Sequence, residues 1–535
     1  MDVVGSRGRA TIEPPAIAPD QPQRWRYRLE HETRRRGLRP RPLPPPLPDA
    51  EGRLARLTDR VRRDLAILCY PKDDWVLPRT RPDGRHVYDA LIVGAGQCGL
   101  AAAFGLIREH VSNILVVDQA PQGLEGPWTT YSRMWTLRSP KHLTGPDLGV
   151  PALAPRSWFE AVFGEDAWEA LDKWPRHAWQ DYLIWYREAT RVPVRNGVRV
   201  DAIEQDGEFV QVTANREGAT SESFCCRKLI LATGIEGMGG WRLPAVVRES
   251  LPPGDWTMCT DDVDSLAWAG QRIAVLGAGA TAWDRAADLL ELGAKSVTIY
   301  MRRKQILSAN VFRYLEKAGY LRHYASMSDA DKWRWMQTIF TFGQTPTQDG
   351  VDRCAHFENF TLHADATWSA IRKLPSGIEI TGSDGSVATF DHLFIGTGFS
   401  MNPLNRPELA PYADRIMTWA DVLTPPPEYR DDWLLTYPYL NRDLSFVERS
   451  AGAAPILKNI YCFNYGATAT NAHSGASLSG LKYGIAPLIH GVTLALWTED
   501  EPEHFRIARS WSDLDTDPSP IARRIWRPTN LKPAD

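Results

Sequence analysis

Two glycine-rich turns, each placed at the end of a short apolar run, constrain this 535-residue chain more than any other feature. The first is Gly94-Ala95-Gly96-Gln97-Cys98-Gly99, after Val87 to Val93; the second is Gly277-Ala278-Gly279-Ala280-Thr281-Ala282, after Arg272 to Leu276. Such a pattern folds as strand, tight turn and helix, and lets a pyrophosphate approach the N–H groups at the helix N-terminus. Two of these turns in one chain point to two dinucleotides. The usual reason to hold two is to pass a hydride between them.

The residues downstream of each turn separate the sites. After the first, Ile114 to Val117 ends in Asp118, 19 residues beyond Gly99. That is where an acid accepts hydrogen bonds from an adenosine ribose; the plainer alternative is a surface turn. After the second, Ser296 to Tyr300 ends in Met301, Arg302, Arg303 and Lys304, with no acid. Guanidinium groups there suit a 2′-phosphate, the alternative being a solvated basic turn. The sequence thus predicts FAD at the first turn and NADPH at the second. Gly94, Gly96, Gly99 and Asp118 would serve one nucleotide, and Gly277, Gly279, Ala282, Arg302 and Arg303 the other.

Bulk properties narrow the class. The net charge of −3 gives no footprint for nucleic acid. No apolar run reaches the ~18–20 residues of a membrane helix. The best candidate, Ile485 to Trp497, is broken by Pro487, His490 and Gly491 and reads as a buried helix. Met1 to Ala10 lacks the apolar core of a signal peptide, so the cytoplasm is the expected compartment. The seven cysteines contain no C-x-x-C pair, only vicinal Cys225-Cys226, which argues against a disulfide reductase. The histidines lack zinc-ligand spacing, and no metal is expected.

The pattern predicts an α/β fold of two Rossmann-like dinucleotide-binding domains, the NADP domain inserted into the FAD domain. Residues 1–85 are expected to form a partly disordered extension, Pro- and Arg-rich and extended or disordered over 14–48, then an amphipathic helix with Leu54, Leu57, Val61, Leu65 and Leu68 on one face. Residues 86–236 and 385–500 make the FAD domain, with a β-ribbon over Asp201 to Arg216. Residues 237–384 make the NADP domain with a Trp-rich helical insertion (Trp333, Trp335, Met336, Ile339, Phe340), and 501–535 a tail.

Together these residues resemble the flavin-dependent monooxygenase superfamily of flavin-containing monooxygenases, Baeyer–Villiger monooxygenases and amine N-hydroxylases, over about residues 86–498. Besides the two turns, the resemblance rests on Ala232-Thr233-Gly234, Gly396-Thr397-Gly398 and Glu125-Gly126-Pro127-Trp128. It rests also on Leu137-Arg138-Ser139-Pro140-Lys141 and on the segment Asn471 to Ser479, similar to that of the N-hydroxylases. It implies Trp128 packing near FAD, Val200 offering backbone to the adenine, and Thr233-Gly234 and Thr397-Gly398 near FAD or the interdomain linker. It places Arg138 and His473 beside the flavin ring as candidate catalytic groups. Two departures stand out: the region Gly254 to Asp262 lacks the His of the family fingerprint, and Arg138 stands where the flavin-containing enzymes have Asn.

The activity implied is NADPH-driven insertion of one atom of O₂ into a small organic substrate, through a C4a-(hydro)peroxyflavin. Two other readings stay open: a flavin reductase or oxidase without oxygen insertion, and a flavin-loaded redox sensor or binding module. A homo-oligomer is compatible with either, and the substrate is not legible.

Overall fold

The computed structural model describes residues 43–216, 221–472, 477–513 and 515–524. His473 and most of the Pro/Arg-rich arm lie outside the described residues.

The first sheet is built around β1 (Val87–Val93), whose aliphatic run is buried on both faces. It pairs in parallel with β2 (Ile114–Asp118) and β6 (Glu222–Leu231). β3 (Val194–Asn196) extends it beyond β2, while β17 (Ile460–Cys462) joins the C-terminal end of β6. The N-terminal part of β6 carries an antiparallel ribbon of β4 (Val198–Asp206) and β5 (Phe209–Arg216). That ribbon opens at Val198 rather than Asp201, because Gly197, with φ of 71°, reverses the chain directly out of β3.

The second sheet, in the order β11-β10-β9-β15-β8, is all parallel. Its strands are β8 (Trp256–Met258), β9 (Arg272–Leu276), β10 (Ser296–Met301), β11 (Phe360–Ala364) and β15 (His392–Ile395). An antiparallel meander, β12 (Trp368–Leu374), β13 (Gly377–Gly382) and β14 (Val387–Phe390), leads into β15. A break at residue 384 therefore cuts the second unit short: β15 pairs with β8 and β9, and the return comes after Ile395. The two crossings between units, β7 (Gly240–Trp241) and β16 (Phe399–Ser400), pair antiparallel with each other.

Seven helices position the site and the seam between the units: α1 (Ala50–Ile67), α2 (Gln97–Arg108), α3 (Arg176–Thr190), α4 (Ala280–Glu291), α5 (Asp329–Phe342), α6 (Gln348–Ala355) and α7 (Leu478–Arg509). α1 buries Leu54 and Val61 against the first unit, and Trp185 of α3 donates to Thr58 at 3.0 Å. Leu68, placed on that apolar face by its spacing, falls just past the helix and is exposed. α2 is almost wholly buried under the first sheet. A nest of aromatic rings, including Trp158, Trp174, Trp179 and Tyr182, packs beside it. Much of the tryptophan content is thus core.

The Trp-rich insertion leaves the second sheet between β10 and β11, yet packs on the first unit. Trp333 Nε1 donates to the Tyr429 carbonyl at 2.8 Å and the Tyr324 hydroxyl to the Ala469 carbonyl at 2.9 Å. Trp333, Met336 and Ile339 belong to the first unit's core. Its apolar stripe finds its partner there. α7 runs through residue 500 to Arg509 because Asp500, fully buried, is gripped by Arg227 at 2.9 and 3.0 Å and by Arg79 at 2.6 Å. A tail beginning at 501 would divide that helix.

Candidate functional site

The two glycine turns are built alike. Gly94 and Gly277 each have φ of 104°, a conformation that side chains rarely adopt. Each donates its N–H to the neighbouring strand: Gly94 to Val117 at 2.8 Å, and Gly277 to Tyr300 at 2.9 Å. A β-carbon at residue 94 would overlap the Ala232 carbonyl, and one at 277 the Gly396 carbonyl. Gly96 and Gly279 sit at the N-caps of α2 and α4 in the same extended conformation, and a β-carbon at either would meet open space. That empty shelf over a helix N-terminus is the shape a pyrophosphate fills.

The third position of each motif is solved oppositely. Residue 99 must be glycine, since a β-carbon there would overlap the Gly94 carbonyl, and Ala232 faces it across the turn. At the second turn Ala282 holds the helix position and Gly396 the strand end, where a β-carbon would lie 2.8 Å from the Ala282 methyl. Small meets larger in both, with the partners exchanged.

Asp118 closes β2 and turns back on the first turn. Its carboxylate accepts from Ala95 N–H at 2.6 Å and Ala120 N–H at 2.7 Å. Burial pushes its pKa up, opposed by those two amides. Nearby, Glu125 is buried and accepts from Gly123 N–H (2.8 Å), Asn196 (2.7 Å) and Arg187 (3.0 Å), which pins the turn leading to Trp128. Trp128 is half-buried against the first core, and Arg176 donates to its carbonyl. Val200 is buried in β4 beside a bulge. Thr233 accepts from Asn464 at 3.1 Å, and the Gly234 carbonyl accepts from Tyr465 N–H at 3.1 Å. Thr397 and Gly398 lie at the crossing: Thr397 Oγ1 donates to the Arg242 carbonyl at 2.6 Å, and Arg242 N–H to the Gly398 carbonyl at 2.8 Å.

Arg302 and Arg303 lie just past β10 and are exposed; Arg303 donates to the Thr341 carbonyl at 2.9 Å. Arg138 is half-buried at the seam between units. Desolvation pulls its pKa down, opposed by the facing charges of Asp284 and Asp349. Sequence reasoning missed these two acids. Asp284, Asp288 and Glu291 stand at the i, i+4, i+7 spacing of one face of α4, a signal available in the sequence. Asn464 was missed as well; it is fully buried, and its carbonyl oxygen accepts from Gly466 N–H at 2.9 Å.

Residues 88–319 match the family described as pyridine nucleotide-disulphide oxidoreductase. A FAD-dependent urate hydroxylase from Xanthomonas campestris pv. campestris is 41% identical over 448 residues, covering 84% of this chain and 94% of that protein. The chain belongs to the flavin-dependent monooxygenases. Among solved structures, this monooxygenase shares its fold with ornithine hydroxylase from Pseudomonas aeruginosa. That likeness has a TM-score of 0.58 at 18% identity, over 77% of this chain and 100% of the other. The cadaverine monooxygenase of Erwinia amylovora, solved with FAD, gives a TM-score of 0.55 at 15% identity, over 76% and 95%. Like them, this flavin-dependent monooxygenase is an α/β oxidoreductase.

No cysteine of this monooxygenase is in a disulfide among the described residues. Cys225 and Cys226 are adjacent on β6 and so point to opposite faces, and Cys98, Cys259, Cys354 and Cys462 are buried and free. Also among the described residues, no His/Cys/Asp/Glu group is arranged to hold a metal ion, and no helix is long and apolar enough to cross a membrane.

Proposed function

We propose that this chain is a single-component enzyme that takes hydride from NADPH onto FAD and hydroxylates a small organic substrate with one atom of O₂. The other oxygen atom leaves as water: NADPH, H⁺, O₂ and substrate give NADP⁺, water and hydroxylated product. Urate is the first substrate to test, because the 41%-identical relative is a urate hydroxylase. The observation that supports the reading best is the pair of matched turns, each with an open glycine shelf at a helix N-cap.

FAD fits the first turn: Gly94, Gly96 and Gly99 would cradle its pyrophosphate, and Asp118 would receive its ribose on lone pairs that Ala95 and Ala120 leave free. Val200 and Trp128 would flank it, and Thr233 and Gly234 would pass close by. At the second turn Gly277, Gly279 and Ala282 would hold NADPH, with Arg302 and Arg303 on its 2′-phosphate. Thr397 and Gly398 would serve through the crossing they tie to Arg242. Bound FAD supplies a ring that accepts hydride and passes electrons to O₂. The chain's own part is to align the two rings, keep water out and place donors. Arg138, permanently charged, would hold a developing negative charge beside the ring, and His473 would exchange a proton there.

Purified protein should be yellow, and urate should accelerate NADPH oxidation with one hydroxylated product per NADPH. Failure to take up FAD would overturn the reading. Stoichiometric hydrogen peroxide in place of product, across urate, amines, thioethers and ketones, would convert it to an oxidase.

A further inference from the structure

The proline run that leads into α1 belongs to neither nucleotide turn. Leu43, Pro44, Pro45 and Leu47 each precede a proline, which drives their backbone out of the helical region. Each proline also fixes its own φ at about −65°. The stretch is accordingly neither helix nor strand, and it turns into α1 through the Ala50 N–H, which donates to the Leu47 carbonyl at 2.9 Å.

A polyproline II segment repeats every three residues, and burial follows that period. Leu43 and Pro46 are half-buried, Leu43 against the core of the first unit. Leu47 packs on Gly164, 3.7 Å from where a side chain there would begin, and its N–H donates to the Val162 carbonyl at 2.8 Å. Pro45 and Pro48 are exposed, as is Pro44. The fold therefore pins one edge of the stretch and holds another out. A segment already fixed at Leu43 and Leu47 loses little further freedom when a partner grips its open edge. In the sequence the outward spacing of Pro48 and Pro45 continues upstream to Pro42 and Arg39.

The described surface beside this edge is lined with arginines. Arg56, 67% exposed, reaches back to Asp49 at 2.7 Å, next to Pro48. Together with Arg53 and Arg60 it lines a groove of about 390 Å³ between α1 and the segment Pro151 to Ala161. Arg53 donates to the Ala161 and Glu160 carbonyls, at 3.0 and 3.3 Å, which leaves its charge uncancelled. Arg60 meets Asp64 only at 3.8 Å. Glu160, which also lines the groove, is held by Arg156 at 2.6 Å.

We propose that the edge carrying Pro45 and Pro48 is a docking ligand for a partner protein, whose aromatic-lined groove takes the prolines and whose rim carboxylates take the neighbouring arginines. The chemistry at the nucleotide turns does not enter.

The test uses the FAD-loaded full chain. The probe is an immobilised SH3 domain selective for Arg-x-x-Pro-x-x-Pro ligands, the spacing of Arg39, Pro42 and Pro45, read by biolayer interferometry. Wild-type chain should bind saturably, and more weakly as salt is added. The double variant Pro45→Ala/Pro48→Ala and, separately, Arg39→Glu should each weaken binding about tenfold. NADPH oxidation and the melting temperature should stay at wild-type values, because both prolines are exposed. Arg39→Glu keeps every proline in place and so decides the matter even where the double variant loses stability. No saturable binding of the wild-type chain overturns the proposal, as does binding that either variant leaves at full strength. Self-association of the wild-type chain that the double variant abolishes, in analytical ultracentrifugation, overturns it as well, by giving the edge to a second copy.

Discussion

Asp284 carries a buried carboxylate oxygen without a hydrogen-bond partner among the described residues, and its acidity records that burial. Burial pushes its pKa up to about 6, and the neighbouring Asp349 adds to the rise, while Arg138, Arg353 and Arg176 oppose it. The folded protein therefore holds this proton more tightly than the unfolded chain does. Stability from that source is complete below about pH 4 and is lost as pH rises through 6, by roughly 3 kcal/mol. Asp284→Asn should be more stable than wild type by about 1–3 kcal/mol at pH 8, with the gap shrinking toward pH 4. Urea unfolding of the FAD-loaded protein checks this, and a gap that does not change with pH would contradict it. Arg302 and Arg303 also differ at this scale. Arg303 already spends a guanidinium N–H on the Thr341 carbonyl, whereas Arg302 is exposed past the strand end. Arg302→Ala should raise the NADPH KM roughly tenfold, the loss of a charge-assisted hydrogen bond, and leave NADH turnover alone. Arg303→Ala should do less, and steady-state kinetics with both cofactors decides it.

The exchanged packing at the glycine turns makes a prediction about elements. Gly396→Ala sets a methyl 2.8 Å from Ala282 and should cost about 1–3 kcal/mol by overpacking. Ala282→Gly in the same chain should recover part of that, because it recreates the arrangement of Gly99 and Ala232. A double variant no more stable than Gly396→Ala alone, by thermal unfolding, would show that the two positions do not couple. The turns were legible in the sequence because their glycines are required by backbone contacts within a single strand-turn-helix unit. Where the Trp-rich insertion docks was not legible. Its stripe says only that something apolar covers it, and the cover comes from Tyr429, Trp419 and Trp433, about a hundred residues downstream. The charge of Arg138 was readable, but the carboxylates facing it lie on α4 and α6 and meet it only in the folded chain. His473, on the other candidate segment, lies outside the described residues.

On the scale of the molecule, the insertion fastens the second unit's chain to the first unit's core. Trp333→Ala removes a buried ring with its hydrogen bond to Tyr429 and should cost about 3–5 kcal/mol. Wild-type protein should lose flavin and helix content in one thermal transition, and the variant should do so at a lower temperature. Flavin fluorescence and far-UV circular dichroism recorded together test this; two separated transitions in the wild type would contradict it. The paired crossings resist some distortions more than others. β7 and β16 run side by side, Trp241 lies edge-on to Phe399 at 6.3 Å, and Arg242 is tied to both Thr397 and Gly398. Twisting one unit on the other would shear these bonds, whereas bending across the narrow ribbon preserves them. Bending across the ribbon is therefore the one swing, as of a page on its binding, that leaves the crossing's own hydrogen bonds whole.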